Sequence, residues 1–167
     1  MTQLPTDNQV IEATFNEQLA VGAAMIAVCV IIHGLALFTL RRVISTRRAA
    51  QSIEEAEALS FRGTILTLAM VFSLIFIHFI EIWLFAFFYT VLGALHNFQD
   101  ALYYSTISYS TVGYDDAAIS HQWRMIAALE SILGIILLGW STAFFVNFLK
   151  RLEDARPGPG TGGRGPD

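Results

Sequence analysis

Apolar residues gather in three long runs separated by polar and charged connectors. The first covers about residues 19–40, the second 63–92 and the third 123–150. A helix crosses a bilayer in about 20 residues, so each run is long enough to span one. The second run is interrupted by His78 and Glu81, the third by Glu130. A shorter stretch, 97–110, lies between the second and third. Ala101, Leu102, Tyr103, Tyr104 and Ile107 make it apolar but rich in aromatic and hydroxyl groups. Asn97 can cap its start and Asp100 can return the bond three residues on. About 14 helical residues rise only roughly 21 Å, which is too short to cross. The pattern therefore predicts an all-α membrane protein with three transmembrane helices and one half-membrane helix. Backbone that leaves a helix at membrane depth must be buried in protein or line a water-filled path. The residues after Ser110 fall under that constraint.

Composition agrees. The chain is 54% hydrophobic with a mean hydropathy of +0.54, too apolar for an ordinary soluble domain of 167 residues. The net charge of −4 argues against a nucleic-acid surface. Cys29 is the single cysteine, so an intrachain disulfide is excluded, and it reads as a small packing residue. Asp7, Glu12 and Glu17 precede the first run and no Lys or Arg does, which is unlike a secretory signal. Arg41, Arg42, Arg47, Arg48 and Arg62 flank the first connector, and Lys150, Arg151, Arg156 and Arg164 follow the third run. Only Arg124 lies on the opposite side. The excess of positive charge on cytoplasmic loops places residues 41–62 and the 151–167 tail inside, and residues 1–18 and 93–122 outside. In the connector, Ser52 and Glu55 have the spacing of a capping box, and the segment reads equally well as a solvated link. The Pro- and Gly-rich tail reads as disordered.

Thr111-Val112-Gly113-Tyr114-Asp115 follows the half-membrane helix. When successive carbonyl oxygens face one axis and four copies meet around it, the oxygens can replace the hydration shell of a potassium ion. This string resembles the Thr-Val-Gly-Tyr-Gly selectivity filter of potassium channels. Residues 97–116 followed by the helix from Trp123 are similar to the pore helix, filter and inner helix of two-transmembrane bacterial potassium channels. The second run is similar to their outer helix, and the resemblance covers about residues 63–150. It implies a homotetrameric pore in a plasma (inner) membrane, with potassium as the permeant ligand and no other cofactor. Thr111, Val112, Gly113 and Tyr114 would line the ion path, and Tyr103 or Tyr104 would brace Tyr114. Asp116 matches the acidic residue that commonly follows the filter. Gly134 falls where the family often has a hinge glycine, and Leu138, Thr142 and Val146 would face the pore below it. The carboxyl end of the pore helix carries roughly half a negative charge, and four such ends around one cavity favour a cation.

The chain departs from the family pattern at two places. Asp115 stands where the family has a glycine in a left-handed backbone, a region Asp enters more readily than most residues. A ring of four carboxylates at the mouth is compatible with normal potassium selectivity, with a sodium- or calcium-permeable pore, or with a non-conducting one. Ile107 occupies the place where some bacterial channels carry a glutamate that pairs with the post-filter Asp.

The interrupted spans suggest a replacement for that buttress. Counted from Arg62, His78 lies about 24 Å and Glu81 about 28 Å up; counted from Lys150, Glu130 lies about 30 Å up. Charged groups in spans usually face protein or water. His78, Glu81 and Glu130 are thus expected to meet pore-helix hydroxyls such as Thr106, Ser108 or Tyr109. Such a contact is either a static polar buttress or a pH-sensitive one. His33, counted from Arg41, lies only about 12 Å up, a different level from His78, which argues against a shared haem. Arginines at every third position, the mark of a voltage sensor, are lacking, and a tail of about 17 residues is too short for a ligand-binding domain. Gating then falls to the membrane, the ions, pH or a separate subunit. The first run has no counterpart in the minimal pore and is expected to support the second run from outside. An activated nucleophile, metal-ligand cluster or phosphate loop is not evident, so an enzyme is not expected.

Overall fold

At membrane depth a backbone has only itself to bond with, and the apolar runs meet that requirement as helices. The computed structural model describes residues 7–46, 61–113, 119–120 and 123–154. Among them there are four helices: α1 (Asp7–Ile44), α2 (Phe61–Val91), α3 (Phe98–Tyr109) and α4 (Arg124–Asp154). α1, α2 and α4 are each long and apolar enough to cross a membrane, and the chain is a multi-pass membrane protein. The capping pattern at Ser52, the tail from 155 and the motif residues Tyr114, Asp115 and Asp116 lie outside the described residues.

The helices overrun the apolar segments. α1 begins at Asp7 rather than near 19, and α4 continues to Asp154. Hydropathy marks where a helix meets lipid, whereas Glu, Gln and Ala carry helical backbone past that point. α2 ends with Gly93 in a left-handed conformation (φ 66°). The Ala94 N–H bonds to the Tyr89 carbonyl and the Gly93 N–H to that of Thr90, the paired bonds of a Schellman cap. Only four residues then lead to α3. Asn97 caps it through Oδ1, which accepts from the Asp100 N–H at 2.8 Å, while the Asn97 amide donates to the Asp100 carboxylate at 2.6 Å.

α3 is 12 residues long and is wedged between α2 and α4. Its buried face, Ala101, Tyr104, Ser105, Ser108 and Tyr109, follows the 3–4 residue helical repeat. The upper core joins Phe85, Ala86, Tyr89, Tyr104, Ile126, Ala127 and Leu133 with Ile119 of the segment leading to α4. The Ser120 N–H bonds to the Ala94 carbonyl at 3.2 Å and closes that segment onto the α2–α3 link. A lower core joins Leu37, Met70, Leu74, Ile77, Phe148 and Leu152.

α1 does not sit outside α2 as expected; it lies chiefly along α4. Its buried stripe is Gly22, Met25, Cys29, His33 and Leu37, spaced three or four apart. Small residues let membrane helices approach closely. A Cβ at Gly22 would come within 2.6 Å of Leu129 Cδ1, and one at Gly34 within 3.3 Å of the Trp140 ring. Those two glycines direct α1 toward α4.

Gly134 marks a close helix approach. A Cβ there would collide with the backbone carbonyl of Tyr109, the last residue of α3. Backbone on both sides leaves little to yield, so Gly134→Ala is expected to lower stability by about 1–3 kcal/mol. Thermal unfolding of the purified protein measures this, and unchanged stability would contradict the packing role.

Candidate functional site

α3 descends to the motif, and its last turns are held by two buried carboxylates. Glu130 of α4 is fully buried and accepts from Tyr89 Oη of α2 at 2.6 Å and from Ser105 Oγ of α3. Ser105 Oγ also lies 3.0 Å from the Ile82 carbonyl. Tyr89 stands edge-on to Tyr104, with ring centroids 5.7 Å apart, so Tyr104 is packed into the same wall. Glu81 of α2, also fully buried, accepts from Tyr109 Oη. Its other partners are His33 Nδ1 at 2.8 Å and His78 Nδ1 at 3.2 Å. Ser141 Oγ of α4 bridges the far nitrogens of both histidines, at 3.0 Å from His78 Nε2 and 3.3 Å from His33 Nε2.

His78, Glu81 and Glu130 therefore do reach pore-helix hydroxyls, but as two clusters rather than one. Tyr109 is among the expected partners. Thr106 is not: it is exposed and its hydroxyl bonds to the Leu102 carbonyl within its own helix. Ser108 is buried with no hydrogen-bond partner for its hydroxyl among the described residues. Tyr103 is 70% exposed on this chain.

Four participants were not anticipated: Tyr89, Ser105, Ser141 and His33. The expected difference in depth between His33 and His78 is overturned, since their rings lie 5.3 Å apart. The two helices do not end at one level. Val43 and Ile44 border the same cleft as Leu66, Ala69 and Met70. α1 thus stops four to eight residues above Arg62, roughly 6–12 Å at helical rise. That offset accounts for the error. Glu81 and Ser141 bridge the two rings from opposite sides, which leaves no room for a macrocycle between them. The signal available in the sequence was the stripe itself, because His33 falls in register with Gly22, Cys29 and Leu37.

Beyond Tyr109 the helix ends through bonds from the Ser110 N–H to Thr106 and from the Thr111 N–H to Ser108. Thr111 has φ 57°, a left-handed backbone that a β-branched residue adopts only under strain, of order 1–3 kcal/mol. Gly113 has φ 134°, and a Cβ there would meet nothing within 4 Å. Conformation, not space, calls for glycine at that position. Thr111, Val112 and Gly113 are exposed, Val112 by 80%. A β-branched residue this exposed, at the end of a helix with a buried face, presents a surface with no cover among the described residues. Leu138, Thr142 and Val146 are likewise exposed and recur every four residues along one face of α4.

Residues 64–151, more than half the chain, match the model of a family described as ion channel. Neither the curated proteins nor the solved structures contain a match.

Removing a donor from a buried carboxyl group leaves one of its oxygens without a hydrogen-bond partner. Tyr89→Phe is expected to lower stability by about 1.5–3 kcal/mol, read by chemical denaturation in detergent. No loss would show that Glu130 does not depend on Tyr89.

Proposed function

The chain belongs to the ion channel family, and from that premise we propose that it is a passive, potassium-selective channel whose pore forms where four copies meet. The observation that supports this most is the placement of Thr111–Gly113: strained, exposed backbone at the carboxyl end of a half-membrane helix that two buried carboxylates hold in position. In a tetramer the exposed face of Val112 is covered by neighbours. Main-chain oxygens of Thr111, Val112, Gly113 and Tyr114 then stand in for an ion's water shell. The carboxyl ends of the four α3 helices add partial negative charge beside the path. The exposed row at Leu138, Thr142 and Val146 lines the inner vestibule, and the close contact of Gly134 with α3 links that wall to the filter. Asp115 and Asp116 form the outer mouth. The arginine distribution supports an orientation with the carboxyl terminus in the cytoplasm of a cell whose plasma (inner) membrane holds the channel.

A second reading follows from Asp115. A carboxylate in place of the family's glycine can admit sodium or calcium. A bi-ionic reversal potential, measured on the purified chain in liposomes, separates the readings. A reversal near the potassium equilibrium potential is expected. A value near zero would favour the non-selective pore, and no current at any voltage would favour a non-conducting subunit. Asp115→Gly changes the ratio little under the first reading and restores potassium preference under the second.

A further inference from the structure

Among the described residues, His33, His78 and Glu81 bring one ligand atom each to within 4.8 Å of one another. We propose that these three side chains, with Tyr109 Oη as a fourth donor, form a binding site for a divalent transition-metal ion of the zinc class, distinct from the ion path. His33 lies outside the stretch that matches the ion channel family, so the site depends on one residue from α1.

The donor spacing fits. Nδ1 of His33 is 2.8 Å from Glu81 Oε1, and Nδ1 of His78 is 3.2 Å from Glu81 Oε2 and 2.8 Å from Tyr109 Oη. Zinc binds His nitrogen and carboxylate oxygen at about 2.0–2.2 Å in a tetrahedron, which sets neighbouring donors roughly 3.3–3.5 Å apart. A shift of about 0.5 Å opens the present cluster to that size. Two imidazoles with oxygen donors suit zinc or cobalt, whereas potassium, magnesium and calcium take oxygen shells.

The outer partners fit as well. A metal-bound histidine ordinarily donates its other ring N–H to a fixed acceptor. Here both Nε2 atoms converge on one oxygen, Ser141 Oγ. A carboxylate can only accept, so without a metal ion His33 Nδ1 turns its hydrogen toward Glu81, while the Tyr109 hydroxyl can donate to Glu81 or to His78 Nδ1. His33 then presents a bare Nε2 to the Ser141 hydroxyl, and His78 can donate its Nε2 hydrogen to the same oxygen. With a metal ion on the Nδ1 side, both rings carry hydrogen on Nε2, and the two lone pairs of Ser141 Oγ accept both.

Charge is partly offset. Glu81 cancels one of the two positive charges, and Tyr109 ends α3, whose carboxyl end carries partial negative charge. The side chains of His33 and Glu81 are fully buried and that of His78 is 12% exposed, so a bound ion would exchange slowly. It would fasten α1 to α2 and to the last residue of α3.

The test uses the full chain, purified without chelator, then equilibrated with cobalt(II) or zinc(II) and freed of excess. One ion per chain is expected, with the visible bands of tetrahedral cobalt. Ser141→Ala keeps every ligand and should weaken zinc binding at least about tenfold. His33→Gln should abolish stoichiometric binding while circular dichroism and elution volume stay unchanged. Cys29→Ala should alter neither stoichiometry nor spectrum. Metal well below one per chain without cobalt bands, or binding that survives His33→Gln and is lost in Cys29→Ala, would overturn the proposal. The readout requires no current, so a chain that failed to conduct would still report on the site.

Discussion

Two hydrogen-bonded carboxylates fix a helix that hydropathy alone cannot place. A full span is positioned by the match between its apolar length and the bilayer, but α3 is only 12 residues long and has no such reference. Its depth and rotation come from points of attachment. Ser105 is held by Glu130 from α4, and Tyr109, one turn further on, is held by Glu81 from α2. Both carboxyl groups are fully buried, and a buried polar group is tolerable only when its hydrogen-bonding atoms are filled. The arrangement is therefore specific as well as stable: rotating α3 by one residue would strand both acids. Gly134 completes the setting by letting the α4 backbone approach the Tyr109 carbonyl, a contact that only a residue without a side chain permits.

The same logic extends to α1. Its packing stripe is made of small or apolar residues except at His33, which enters the interior and meets Glu81. Helix association in a membrane relies on close packing and polar contacts, because lipid is as apolar as the helix surface. α1 uses both: glycines at 22 and 34 against Leu129 and Trp140, and a histidine joined to α2 and, through Ser141, to α4. A helix lying outside the family match is thereby joined to α2, to α4 and, through Glu81, to α3.

Much of this was legible in the sequence. Three spans and a half-membrane helix followed from the lengths of the apolar runs, and Asn97 and Asp100 marked the start of α3 because capping is local chemistry. Acidic residues inside spans pointed to buried polar contacts, since lipid offers them nothing. The unread parts depend on how helices lie against one another. Counting depth from flanking arginines assumed that α1 and α2 end together, and their offset hid the pairing of His33 with His78. Ser105 was missed in favour of its neighbour Thr106 because one residue along a helix turns a side chain by about 100°, from interior to surface. The docking of α1 on α4 rather than on α2 rests on two glycines whose partners are far away in the chain.

The central claim is that α3 is held so that main-chain oxygens of four chains share one cation. Binding to the folded assembly alone must stabilise it in proportion to ligand concentration. The most direct measurement is therefore the dissociation temperature of the purified oligomer as potassium replaces sodium at constant ionic strength. The account predicts a tetramer whose dissociation temperature rises with potassium and saturates. A monomer or dimer, or a tetramer equally stable in both salts, would contradict it.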